Sequence, residues 1–185
     1  MDLLPFFQWC HATPVGETIR NSSWLFPVIE AFHLLGLGVT AGAVLVVDLR
    51  LLGWTMRGVP VSDVIRRLQP WTVIGFIVMV ITGTLLVYAI PVRSYQNLFF
   101  RTKMLLMLAA GINVFIFHSR VFPSVAKWDA DAVPPKAARI AGGLSLGLWM
   151  AIIFNGRLIA YNWFDCDRQP QWAVINFLTS CYPTE

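Results

Sequence analysis

Three histidines, His11, His33 and His118, are the side chains of this sequence best suited to chemistry, and two of them stand inside long apolar stretches. At 100° per residue, Glu30, His33, Leu37, Ala41, Val44 and Asp48 share one helical stripe about 60° wide. Three ionisable groups on one stripe of an apolar helix mark a face that avoids lipid. Three further stripes run through the other apolar stretches: Gly75, Met79, Thr82 and Leu86; Lys103, Met107, Gly111, Val114 and His118; and Gly143, Gly147, Met150, Phe154, Arg157 and Tyr161. Imidazole with thioether is a donor set used for haem iron and for Cu(I).

Depth narrows the choice of partners. Counting 1.5 Å per residue, Glu30 below Trp24 and Arg157 below Trp163 both lie about 9 Å down, which predicts an ion pair. Within a cofactor site, Arg157 with Tyr161 would instead receive anionic groups. His33, Met107 and Met79 fall at about 13, 12 and 16 Å, so they share a level. That level makes His33 the candidate axial ligand, with Met107, Met79 or a second histidine opposite. The alternative is a His33 bonded to Glu30, with the methionines as core filler. His118 lies about 15 Å from His33 along the bundle, too far for both to grip one haem, and pairs better with Asp48. His11 precedes the first span, as a surface histidine or as a ligand reaching down.

The elements that must hold these groups follow from composition. The 185 residues are 57% hydrophobic and 13% charged, where a soluble domain carries about 25% charged residues. Too little polar surface exists to cover a water-soluble globule. The net charge of +4 comes from scattered residues without a basic run, which excludes a nucleic-acid partner. About 20 apolar residues cross a bilayer, and four segments qualify: 24–52, 71–90, 98–120 and 140–164. The fold class is therefore all-α, an integral membrane four-helix bundle over 22–164. It is preceded by a segment (1–21) with a short interfacial helix around Leu3–Trp9 and followed by an outer segment, 165–185. Asp2 and Pro5 argue against a cleavable signal peptide. Pro14, Gly16 and Asn21 read as a turn region, Ser22 or Ser23 as a cap, and the segment around Asp129–Pro135 as a simple connector.

Lysines and arginines number eight in the first and third loops against five on the other side, Arg168 among them. This bias puts both termini outside. Cys10, Cys166 and Cys181 then share an oxidising side, as a Cys166–Cys181 bridge with Cys10 free or as three unpaired thiols. The Gly38-x-x-x-Gly42 and Gly143-x-x-x-Gly147 spacings predict close helix packing or room for a flat cofactor.

Ser23-Trp24-Leu25-Phe26-Pro27, Glu30, His33-Leu34-Leu35-Gly36 and Asp48-Leu49-Arg50-Leu51-Leu52-Gly53, with Gly156-Arg157-Leu158-Ile159-Ala160-Tyr161, resemble an uncharacterised family of small bacterial four-span inner-membrane proteins. The resemblance implies a multi-pass protein of the bacterial inner membrane. More distantly the arrangement is similar to copper-resistance membrane proteins and four-helix b-type cytochromes, although three histidines allow at most one bis-histidine haem.

Three functions fit. One is a redox protein that holds haem b, or copper, in the outer half of the bundle and exchanges electrons with a membrane subunit or a periplasmic redox protein. Another is a non-catalytic subunit of a larger complex, packing against partner helices, lipids or pigments. The third is a small proton-coupled transporter using Glu30, Asp48 and Arg157. No hydrolytic or nucleotide-binding motif is present.

Overall fold

The computed structural model describes residues 3–161, 163, 164, 166 and 172–181, and Arg168 lies outside these. The helices are α1 (Leu4–His11), α2 (Pro14–Asn21), α3 (Leu25–Leu51), α4 (Val61–Ala89), α5 (Pro91–Tyr95), α6 (Leu98–Ile116), α7 (Lys136–Ile159) and α8 (Ala173–Thr179). Four of them, α3, α4, α7 and α6 with its continuation to Lys127, are long and apolar enough to cross a membrane. Only 17–28% of the most apolar stretch of each is buried within the protein.

Several boundaries differ from the hydropathy reading. α4 starts at Val61, ten residues before the apolar run, because a helix continues wherever its backbone bonds persist, polar or not. α6 ends in a π turn, Phe117–Val121, and a 3-10 segment to Lys127. The expected turn at Pro14–Asn21 is a helix, with Pro14 at its first position and the Thr13 hydroxyl accepting from Gly16 N–H. Ser22 Oγ accepts from Leu25 N–H at 3.3 Å as the cap of α3.

The chain divides into two units, to each of which every long helix contributes a stretch. One comprises Leu34–Met79 and Leu106–Ile152. Its apolar core joins Leu51, Val61, Ile65, Phe117, Trp128 and Ala138. Arg50, 1% exposed, donates from Nε to Val59 O (2.8 Å) and from Nη2 to Asp131 O (3.0 Å) and Asp129 O (3.5 Å). Asp129 in turn caps α4, its carboxylate accepting from Ser62 N–H at 2.7 Å and Ser62 Oγ at 2.6 Å. Burial pushes the Asp129 pKa up, but these bonds, Val61 N–H and the Arg50 charge outweigh it and hold the carboxyl below its ordinary value. The segment expected to be a simple connector is thus a brace. Gly53 ends α3 at φ +71°, where a side chain would be strained and would press on Ala132 O.

The other unit comprises Met1–His33, Val80–Leu105 and Ile153–Glu185. Here Phe7 stacks on Tyr95 with centroids 4.8 Å apart, and Leu3 N–H donates to Tyr95 Oη. Arg20 donates to the carbonyls of Tyr88, Ala89 and His11. Arg101 lies over the Tyr95 ring and donates to Tyr95 O, Leu178 O, Thr179 O and Ser180 Oγ. Cys166 and Cys181 form a disulfide, and Cys10 is buried and unbridged.

The buried faces correct the expected ones. In α3 the buried line is Gly36, Thr40 and Ala43, with Asp48, Arg50 and Leu51 buried at the helix end; in α6 it is Asn113, followed by Phe117 in the π turn; in α7 it is Ala138, Gly142, Ser145 and Ile152. Those of α3 and α6 are turned by about one residue, roughly 100°, from the predicted stripe, and that of α7 by more, roughly 145°. Of those stripes only the α4 line, with Gly75, Met79 and Thr82 buried, lies where expected. The reason lies in what holds helices together in lipid: small residues and hydrogen-bonding neutral side chains pack inward, and charged ones need not. Asn113 Nδ2 donates to Ala141 O at 3.0 Å and Thr40 Oγ1 to Thr72 O at 3.5 Å.

The glycines follow the same correction. Positions 38, 42 and 147 have no atom within 4 Å of where a Cβ would stand, and 143 meets only the end of Leu52. Close packing is instead at Gly36, Gly75 and Gly142: a Cβ on Gly75 would strike Thr40 Oγ1 and lie 2.9 Å from Gly36 O. Gly75→Val should therefore cost about 2–3 kcal/mol, whereas Gly42→Val should change stability by less than about 0.5 kcal/mol, both read from thermal unfolding in detergent. Thiol labelling of the denatured chain should find one reactive cysteine before reduction and three after it.

Candidate functional site

A histidine inside an apolar helix must be oriented by something, since no water is there to do it. His33, in the α3 stretch of the unit that carries the chain ends, is half-buried. Its Nδ1 lies 3.0 Å from Thr82 Oγ1, a buried hydroxyl on α4. The next residue, Gly83, makes room for the ring: a Cβ there would stand 3.1 Å from His33 Cε1. Thr82 and Gly83 together thus fix the imidazole's direction from one side. A hydrogen bond to one ring nitrogen is what sets which nitrogen of a ligating histidine meets a metal. Thr82 stood on the expected interior stripe of α4 but without a role; a hydroxyl at a matching level in the neighbouring span was the available signal.

Glu30, one turn before His33, is exposed. Arg157, near the end of α7, is exposed too, its guanidinium carbon 5.4 Å from the centroid of the Tyr161 ring. Tyr161 stacks on Trp163 with centroids 5.5 Å apart. The expected Glu30–Arg157 ion pair is not formed; among the described residues the one salt bridge joins Arg66 to Asp63. Arg157 sits instead on an aromatic ledge, because its helix presents Gly156 rather than Arg157 to the α6 side. The Lys103 ammonium lies 3.7 Å from where a Cβ on Gly156 would be. Lys103 is half-buried, with no ion pair among the described residues, and received no role in the sequence reading.

The other nominated residues belong elsewhere. Met79 is buried, its Cγ 3.3 Å from a Cβ built on Gly36, and Met107 is half-buried; both lie in the second unit. His118 does not pair with Asp48. It is exposed, donates from Nδ1 to Val114 O at 3.0 Å in its own helix, and packs edge-on against Phe117. Asp48, 3% exposed, is hydrogen-bonded to Ser145 on α7 and has one carboxylate oxygen with no protein partner among the described residues. Asp48 is thus buried while Glu30 and Arg157 are exposed, so the three do not share one buried polar face. His11 is exposed at the end of α1. No group of three or more His, Cys, Asp or Glu that could hold a metal occurs among the described residues. A metal here would accordingly need haem nitrogens or thioethers to complete its shell.

The chain belongs to the Family of unknown function (DUF6644), whose model matches residues 6–162. No curated protein and no solved structure matches it. The wider resemblance to copper-resistance proteins and cytochromes is not shown.

Since the two charges stand apart, Glu30→Gln and Arg157→Gln should act additively on thermal unfolding in detergent, with a coupling below about 0.5 kcal/mol. A coupling above about 1 kcal/mol would reveal a direct pair.

Proposed function

We propose that this member of the family is a membrane redox protein in which His33 is an axial ligand of a b-type haem, with Arg157 and Tyr161 receiving the propionates. The observation that carries the reading is the fixed imidazole: Nδ1 at 3.0 Å from Thr82 Oγ1, with Gly83 clearing the ring. Such an orienting partner is characteristic of histidines that bind metal. Two cations near the end of α7, Arg157 and Lys103, suit a ligand with two carboxylates. The haem, when bound, would carry the electron, and the chain would orient it and set its surroundings. Copper at His33 in place of haem is the variant of the same reading.

We place the protein in the bacterial inner membrane with both termini on the periplasmic side. The excess of Lys and Arg in the first and third loops supports this, as does a Cys166–Cys181 disulfide beside the chain end, since such bonds persist in oxidising compartments.

A second reading, a non-catalytic subunit of a larger membrane complex, draws on Glu30. An exposed carboxylate one turn into an apolar helix, with no ion pair among the described residues, suits a cation on a partner helix.

Absorption spectra of the detergent-purified protein, oxidised and dithionite-reduced, with metal analysis on the same sample, test both. The redox reading expects a reduced b-type alpha band with about one iron per chain, abolished by His33→Ala and kept in His118→Ala. Copper without a haem band would move the assignment to the copper variant. A colourless, metal-free protein despite haem supply would overturn the redox reading and leave the subunit reading standing.

A further inference from the structure

One end of the unit formed by Leu34–Met79 and Leu106–Ile152 gathers cations that the chain leaves unanswered. Arg67, Arg120, Lys127, Lys136 and Arg139 are exposed, and none of their side chains makes a hydrogen bond or ion pair among the described residues. Each stands within two residues of a member of one apolar core: Arg67 near Ile65, Arg120 beside Val121, Lys127 beside Trp128, and Lys136 and Arg139 around Ala138. That core draws together the start of α4, the segment that continues α6 and the start of α7, so the five charges ring a single end of the unit. The acids here are mostly engaged. Asp63 pairs with Arg66, and Asp129 holds Ser62. Asp131 is exposed and offsets one charge at most. α7 opens with lysine and has no acidic residue in its first turn, the reverse of what a helix dipole favours.

The same end exposes large apolar side chains. A Cβ on Gly53 would stand 3.2 Å from Ala132 O and 3.4 Å from Val133 Cα, so the loop after α3 lies against the loop before α7. From these two loops Trp54, Met56 and Val133 project, each at least half exposed. A nucleic acid or an acidic soluble partner would answer the charges and leave the tryptophan in water. A lipid leaflet answers both, since apolar groups enter the headgroup boundary while cations stay level with the phosphates. Two of the helices long and apolar enough to cross a membrane end here, α3 and the continued α6, and the other two begin here.

We propose that this basic, tryptophan-bearing rim binds the headgroups of anionic phospholipids in the leaflet it faces and enriches them around this end of the unit. Lysine and arginine supply charge and N–H donors to the phosphates, and Trp54, Met56 and Val133 seat the two loops among the lipids. Each cation close to an anionic surface adds about fivefold to affinity. The rim lies in the unit that does not contain His33, and its lipid preference is independent of any haem.

The test uses the full-length chain in phosphatidylcholine vesicles containing about one-tenth phosphatidylglycerol, with bromine-labelled acyl chains on one lipid or the other as the quencher of tryptophan fluorescence. The share of quenching lost in Trp54→Phe belongs to Trp54. At equal mole fraction and low salt, labelled phosphatidylglycerol should quench that share about threefold more than labelled phosphatidylcholine, and the preference should vanish in about 1 M salt. Combining Arg120→Gln, Lys127→Gln, Lys136→Gln and Arg139→Gln should abolish it, whereas Arg120→Lys with Arg139→Lys should keep it. All of these variants should melt within about 1 °C of the parent in uncharged detergent, because the side chains replaced are exposed. Equal quenching by the two lipids at low salt, or a preference that survives the four neutralisations, would overturn the proposal. So would a Trp54 that neither lipid quenches, which would put the rim in water and make an acidic soluble partner its occupant.

Discussion

A buried guanidinium is costly unless its donors are occupied, and Arg50 gives Nε and Nη2 to main-chain carbonyls from two different loops, while Nη1 is buried with no partner among the described residues. That constraint orders its whole neighbourhood. Val59 O fixes the return from α3 to α4, and Asp129 O and Asp131 O fix the approach to α7. With its backbone so held, Asp129 can present its carboxylate to the first turn of α4. Leu51, the residue after Arg50, then packs with Val61, Trp128 and Ala138 in the apolar core beneath. A lysine would not substitute, because only a planar fork reaches carbonyls lying in several directions at once. The Asp48–Gly53 block is therefore architecture: buried acid against Ser145, brace, core leucine and a left-handed glycine that ends the helix.

How far the sequence could be read depended on which physical force wrote the signal. The four spans were legible because bilayer thickness dictates length and apolarity, and both appear in a linear string. The rotation of each helix was not. In water the buried face is the apolar one, but in lipid both faces are apolar and periodicity loses its contrast. Reading Glu30, Arg157 and His118 as interior markers turned three helices by roughly 100° or more. The true markers were smaller and neutral: Thr40, Thr82, Asn113 and Ser145, all at most 9% exposed. Asp48 was the exception, buried as expected but beside Ser145 instead of His118.

The same contrast governs the candidate site. Both members of the His33–Thr82 contact were on predicted faces, yet their meeting was invisible, since it depends on how two helices are staggered. Gly83 was missed because its role is to be absent where a ring must lie. The depth estimates put His33 with Arg157 and Glu30, which share one unit, but also with Met79 and Met107, which fall in the other along with His118. The Cys166–Cys181 bridge resolves an ambiguity that three cysteines could not settle by number.

The segment near the chain end is fastened twice, by that covalent bond and by Arg101 reaching Leu178 O, Thr179 O and Ser180 Oγ. The second fastening ends one residue before Cys181. Should the bridge be reduced, the Arg101 contacts would still tether Cys181 close to where its partner was, so re-closure becomes an intramolecular event at high effective concentration. Cys10, 3% exposed, is shielded from competing. Native pairing is in this sense a memory kept by hydrogen bonds, and an oxidant needs only to supply electrons' destination, since the choice of partner is already made.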